Sequence, residues 1–339
     1  MRRTLCGALT VAAAMLMAAA AHPPQWRWHL PTGIAPPPVP PDNPMTIAKV
    51  ELGRRLFYDA DLSIDGTMSC GSCHTQKHGF ADDNRTRPGV HGDPGRRNVP
   101  GLANIGYATP LTWADPRLTR LETQAMVPII GEHPIEMGMK GREAEIGRRL
   151  GRDACYGQMF RAAFPERGGA IDLSTVSKAL AAFQRTMIAF DTPFDRVRRG
   201  RADAMTPAAK RGAALFFGRA DCASCHGGAT LSDHRFHAIE APARGTDRGL
   251  ADVTGLAADD GRFRTPSLRT IALTAPYMHD GESPTLPDAI RRHRNVPSVA
   301  TLSTTDMADL EAFLGALTDR GFIADRRFAR PTKACGKTL

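Results

Sequence analysis

Two short stretches of this chain carry residue types that can do chemistry, at a fixed spacing. Cys70-Gly71-Ser72-Cys73-His74 and Cys222-Ala223-Ser224-Cys225-His226 both read C-x-x-C-H. Two thiols so spaced can add to the two vinyl groups of a porphyrin, and the imidazole that follows falls under the iron as an axial ligand. This is the attachment pattern of a c-type haem, and its recurrence predicts two of them. A zinc site would set its two C-x-x-C pairs about 15–20 residues apart, and these pairs stand far beyond that. A thioredoxin-like dithiol needs only C-x-x-C and leaves both histidines unexplained.

The rest of the composition agrees. The chain has 339 residues, enough for two domains, and is 42% hydrophobic but only 6% aromatic, as suits cores built partly of porphyrin. Of seven cysteines, four belong to the motifs and Cys6 lies near the start. Cys155 and Cys335 are left either to pair in an oxidising compartment or to stay as thiols. Residues 1–21 read as a cleaved signal peptide, with Arg2 and Arg3, a short apolar run over Leu9–Met17, and small residues at Ala18–Ala21. That run is too short to span a bilayer. Bacterial c-type haem attachment takes place outside the cytoplasm, so the expected location is the periplasm. The net charge of +9 comes without a basic patch interleaved with aromatics, which argues against nucleic acid and at most suggests an acidic protein partner.

The elements that must position the motifs read as helices. Residues 22–44 form a proline-rich arm with Trp26, Trp28 and Pro36-Pro37-Pro38. Helix begins near Pro44, where Ile47, Val50, Leu52 and Leu56 recur at helical spacing. Similar patterns cover 117–129, 142–163, 173–190, 206–218, 285–294 and 304–317. Residues 75–112 and 227–284 are loop-rich, and no run of alternating strands occurs. The expected fold is mainly α: two cytochrome-c-like haem domains with long loops and an extended Pro-rich N-terminal arm. They span 45–195 and 196–339, meeting near 191–205, as a diverged duplication without a tight sequence period.

With both motifs in one chain, about 150 residues apart, the sequence resembles the bacterial dihaem cytochrome c peroxidase and MauG superfamily. Trp113 through Gln124 and Pro128 to His133-Pro134-Ile135-Glu136-Met137-Gly138 is similar to that family's distal-pocket segment. Phe263-Arg264-Thr265-Pro266-Ser267-Leu268-Arg269 and Thr274-Ala275-Pro276-Tyr277-Met278-His279-Asp280-Gly281 resemble its second-domain signature. The likeness covers most of 45–320. Trp26-Arg27-Trp28, the arm and the G-E-H-P-x-E-M-G form further resemble the MbnH-type branch, whose members are associated with oxidation of tryptophan in a partner protein.

The resemblance implies roles. The first-domain haem is reactive, with His74 proximal and its far face open to hydrogen peroxide. Glu136 matches the acid–base carboxylate, which moves a proton from the near oxygen to the leaving one; Glu132 is the competing acid. Gln124 would orient peroxide, and Pro128 would limit room above the iron. Trp113 would carry a hole between the haems; ordinary core packing is its alternative. The second haem takes His226 as proximal ligand. Its other ligand falls at His293, where peroxidases carry Met and MauG-like enzymes Tyr. An imidazole there lowers the potential relative to Met; otherwise Arg291-Arg292-His293-Arg294 is a solvated face. A calcium ion between the haems would be held by the Asn98 side chain and the carbonyls of Thr274 and Pro276, with Asn104 close by in the same stretch. His91 stands near the position of a loop histidine that caps the first haem at rest. His279 is expected on a propionate or the backbone, and His78, His133, His234 and His237 as structural or exposed.

Three functions follow. The first is a MauG/MbnH-like oxidase that uses hydrogen peroxide to oxidise a partner protein's side chain, with tryptophan as the candidate. The second is a peroxidase fed by a small cytochrome or cupredoxin. The third is a dihaem electron carrier without catalysis. The lack of Met at position 293 argues against the second, and Glu136 with Gln124 against the third. Ala220 stands where MauG has a surface tryptophan, so any exit route must differ. A homodimer, common among the peroxidases, is compatible with the resemblance.

Overall fold

A computed structural model describes residues 26–240 and 247–338. The signal peptide expected over 1–21 and the start of the arm, 22–25, lie outside the described residues. The first domain carries helices α1 (Ile47–Phe57), α2 (Cys70–Cys73), α3 (Leu121–Gln124), α4 (Val127–Ile130), α5 (Glu143–Leu150), α6 (Ala154–Ala163) and α7 (Leu173–Arg185). Helices α8 (Pro193–Arg198), α9 (Pro207–Phe217), α10 (Ala251–Thr254), α11 (Leu286–Arg291), α12 (Thr304–Gly315) and α13 (Arg320–Ala324) follow. Strands among the described residues are two short antiparallel pairs, β1 (Phe236–His237) with β2 (Phe263–Arg264) and β3 (Lys333–Ala334) with β4 (Lys337–Thr338).

Each domain is built on one close helix crossing. Thr46 caps α1 by accepting from the Lys49 N–H, and Leu52, Leu56 and Phe57 are fully buried. Asp172 and Thr175 form a capping box at the start of α7. Where α1 meets α7 stands Gly53: a Cβ there would lie 1.9 Å from the Ala179 carbonyl oxygen. In the second domain α9 meets α12 at Gly212, where a Cβ would lie 1.8 Å from the Asp309 carbonyl oxygen. Phe216, Leu310, Phe313 and Leu317 fill the core around it.

Several expected helices are divided. The pattern over 117–129 splits into α3 and α4, with Pro128 in the first turn of α4. The one over 142–163 breaks after Leu150, because Asp153 caps α6 by accepting from the Cys155 N–H. The one over 173–190 ends at Arg185. Helix α8 falls at the predicted domain boundary, opened by a Thr192–Asp195 capping box and Pro193.

The arm lies along the first domain. Trp26 and Trp28 pack against its core. Tyr107 Oη donates to the Ala35 carbonyl at 2.8 Å, and Arg185 Nε to that of Pro38 at 3.2 Å. Asn43 donates to Glu122 at 2.7 Å, and Glu122 also accepts from Arg185 at 2.9 Å, so a buried ion pair anchors the arm to α7.

The end of the chain returns to the first domain. The sequence reading groups 196–339 as one unit, yet Phe322 and Phe328 pack in the first core. Arg54 Nε donates to the Ala329 carbonyl at 2.8 Å and Tyr58 Oη to that of Phe328 at 2.6 Å. Cys155 and Cys335 form a disulfide, with Cα atoms 5.8 Å apart. Cys335 and Gly336 both take positive φ, the two-residue turn that a tight hairpin between β3 and β4 requires.

Candidate haem centres

At the first centre, α2 sets Cys70 and Cys73 on one turn, and Ser72 Oγ accepts from the Ser69 N–H at its start. His74 follows, its Nδ1 donating to the Phe80 carbonyl at 2.7 Å. That bond assigns the proton to Nδ1 and leaves Nε2 for a metal. Burial pushes both thiols up to about 12, the mark of an apolar slot and not of a reactive dithiol. The Tyr58 ring closes the slot so tightly that a Cβ on Gly71 would lie 2.5 Å from it.

The segment with Glu136 is woven against this motif. Met137 N donates to the Pro128 carbonyl and Met139 N to that of Ile129, both at 2.9 Å. Val90 N donates to the Glu136 carbonyl and Ile64 N to that of Met137, both at 2.8 Å. The Glu136 carboxyl lies near enough to raise both Cys70 and Cys73, and burial raises its own pKa. It makes no hydrogen bond or ion pair among the described residues, and neither does the Gln124 amide. Glu132 is exposed and lies 3.9 Å from Lys140, away from the motif's chemistry. His91 rides the loop joined to Glu136 but is exposed.

At the second centre Cys222 and Cys225 lie on a short 3-10 turn. His226 Nδ1 contacts the Leu231 carbonyl at 3.3 Å. His293 faces it, anchored by its own Nδ1 to the Ala289 carbonyl at 2.9 Å, with ring centroids 6.4 Å apart. With both Nδ1 atoms on backbone carbonyls, each ring keeps its Nε2 free, and the two histidines would be the residues to hold one haem iron between them. Burial, helped by His293, pushes His226 down to about 4, so it is neutral and available as a ligand. The neighbours of His293 divide: Arg292 turns inward to Asp280 and Glu240, and Arg291 and Arg294 face solvent. Phe216, Leu268, Ile271, Ile290 and Leu314 give the cavity apolar walls.

Trp113 stands where the domains meet. Its Nε1 donates to the Asn98 carbonyl at 2.8 Å, its own carbonyl accepts from Arg264 N at 2.7 Å, and it lines the second cavity. Asn98, Thr274 and Pro276 line that cavity too. Asn98 Nδ2 donates to the carbonyls of Asn84 and Arg85 at 3.3 and 3.2 Å. Its Oδ1, and the carbonyls of Thr274 and Pro276, accept no hydrogen bond among the described residues. Such an oxygen set suits a hard cation. Asn104 is spent elsewhere, bonding the Ala189 carbonyl and N–H at 3.0 and 2.8 Å.

The other histidines have structural places. His279 stacks on Phe263, His237 meets Asp233 at 2.8 Å, His78 lies 3.3 Å from Asp83, and His133 is exposed. His234 sits between Thr230 and Ser232, pushed down to about 4 by burial and by Arg264. Arg264, in the second-domain signature stretch, is buried, which sequence does not display.

Comparisons with known proteins agree with two such centres. The model of the di-haem cytochrome c peroxidase family matches residues 47–203, and that of cytochrome c matches 209–318. The methylamine utilization protein MauG of Methylorubrum extorquens is 36% identical over 293 residues, covering 83% of this chain and 81% of that protein. The cytochrome c551 peroxidase of Pseudomonas aeruginosa is 31% identical over 285 residues, covering 82% and 81%. A solved MauG-like protein associated with microbial copper homeostasis superposes with a TM-score of 0.86 at 40% identity, over 91% of this chain and all of that one. With two C-x-x-C-H sites, each with its histidine tethered for iron, the chain belongs to the di-haem cytochrome c peroxidase and MauG family and is a peroxidase-type oxidoreductase of two c-type haems.

Proposed function

We propose that the protein is a periplasmic MauG/MbnH-like oxidase that uses hydrogen peroxide to oxidise a side chain of a partner protein, tryptophan being the candidate. One observation carries this reading: the surroundings of the two motifs differ. His226 is opposed by an anchored imidazole, whereas a half-buried carboxyl without a partner among the described residues lies beside the His74 motif. The haem held by Cys70, Cys73 and His74 supplies the redox chemistry with peroxide. Glu136 takes the proton from the near oxygen of peroxide and returns it to the leaving oxygen. Gln124 orients the peroxide, and Pro128 limits the room around it. Trp113 carries a hole between the centres. His226 and His293 hold the second haem, and Asn98, Thr274 and Pro276 hold a calcium ion beside it. The leader-like start of the chain and the Cys155–Cys335 disulfide support an oxidising, exported location. No helix among the described residues is long and apolar enough to cross a membrane.

The likeness to cytochrome c551 peroxidase favours a second reading, in which a small cytochrome or cupredoxin supplies the electrons. One equivalent of hydrogen peroxide added to the diferric holoprotein separates them. A prompt and persistent change in the visible spectrum is expected of the oxidase. A reaction seen only after one haem has been reduced replaces it with the peroxidase. Silence in both states removes catalysis.

A further inference from the structure

Four arginines among the described residues are less than one-tenth exposed: Arg55, Arg185, Arg264 and Arg269. Three of them have a carboxylate. Arg55 meets Asp153, Arg185 meets Glu122 at 2.8 Å, and Arg269 meets Asp195 at 2.6 Å. Arg264, 4% exposed, has none among the described residues. Its Nε donates to the Thr112 carbonyl at 2.9 Å and its Nη1 to that of Thr265 at 3.1 Å, and Nη1 lies 3.5 Å from His234. Its Nη2 has no hydrogen-bond partner among the described residues. Burying a charge without a counter-ion costs several kcal/mol. Burial lowers this guanidinium only to about 10, so it stays charged at neutral pH.

Arg264 lines the cavity of the second C-x-x-C-H motif. Of the other carboxylates lining the cavity, Asp280 and Glu240 are taken by Arg292 and Asp247 by Arg97 at 2.7 Å, while Asp221 is exposed to solvent. His234, its nearest titratable neighbour, is neutral. The missing anion must therefore come with the cavity's occupant, and a haem brings two carboxylates.

We propose that Arg264 is a positioning residue, pairing with a propionate of the second haem and tying it to the loop that carries Trp113. The tie is already half built, since the Arg264 backbone N–H bonds the Trp113 carbonyl and its Nε bonds that of Thr112. One residue thus links the edge of the second haem to the side chain assigned to join the two centres. The coupling role rests on the relay reading of Trp113; the ion pair does not.

The test compares holoprotein carrying Arg264→Gln or Arg264→Lys with wild type, both haems attached as verified by mass. Removing the cation leaves the propionate charge uncompensated and favours the ferric state. The second haem of R264Q is expected to lose at least tenfold in its reduction equilibrium, a fall of about 59 mV for one electron. The first haem should keep its potential. A second-haem potential equal to wild type overturns the proposal, as does an equal fall at both haems, which means general loosening. If R264Q does not accumulate, R264K decides: an ammonium cannot reproduce a forked contact, so the propionate-bending band in resonance Raman should shift. An unmoved band overturns the pairing. No peroxide is involved, so a protein inert to peroxide with a shifted potential sinks the oxidase reading and leaves the ion pair standing.

Discussion

The first domain crosses α1 over α7 at Gly53, and the second crosses α9 over α12 at Gly212. In each, the phenylalanine four residues beyond the contacted carbonyl, Phe183 or Phe313, stands 2.9 or 2.8 Å from where a Cβ would sit. Each proximal histidine has its Nδ1 on the carbonyl of a positive-φ residue, Phe80 after His74 and Leu231 after His226. Up to this point the domains are two copies of one device. They part in what surrounds each motif: His293 opposes His226, whereas the Glu136 segment lies beside the His74 motif. A shared scaffold fixes the proximal bond, and what faces it decides whether the centre binds a small molecule or only passes electrons.

The largest effect is expected at the point of difference. Glu136→Gln keeps the shape and removes the base, so the rate of the peroxide reaction should fall by about 10²–10⁴-fold in stopped-flow mixing. Burial raises the Glu136 pKa, so the ionised base is lost as pH drops through a value above the ordinary glutamate range. The wild-type rate should rise with pH through that value, and the Gln variant should be flat. A flat wild-type profile would assign the proton transfer to another group. Next, His293→Ala should remove the low-spin bis-imidazole signal from the low-temperature EPR spectrum, making the second centre resemble the first. An unchanged spectrum ends the claim that His293 is a ligand. The smallest effect tests the likeness of the two domains. Gly53→Ala and Gly212→Ala each press a methyl onto a backbone oxygen that cannot swing aside, and each should cost about 1–3 kcal/mol by thermal or denaturant unfolding. A large cost at one site only would show that the two crossings are not equivalent.

The chemistry of this molecule is unusually local in sequence. The two C-x-x-C-H motifs are read directly from the sequence, whereas His293 is reached only through the family resemblance; it lies two residues beyond the end of α11 at Arg291. Glu136 could be told from Glu132 only by family context; the structure separates them by burial. The break before α6 comes from the Asp153 cap, which the apolar periodicity over 142–163 does not register. Nothing in the spacing of Phe322 and Phe328 says which core they enter. The pairing of Cys155 with Cys335 and the unpaired charge of Arg264 depend on proximity across long separations, which composition and periodicity do not encode.

The disulfide that pins the returning tail also constrains how the protein can be made. Four cysteines must remain reduced until haem is attached, while two others in the same chain must be oxidised. Cys155 lies between the two motifs and Cys335 after both. As the chain emerges from its N-terminus, Cys155 meets every wrong thiol before its proper one. Attaching haem first consumes those four thiols and removes them as wrong partners for Cys155 and Cys335. An order of porphyrin before disulfide would therefore avoid every mispairing of Cys155 and Cys335 with the motif cysteines.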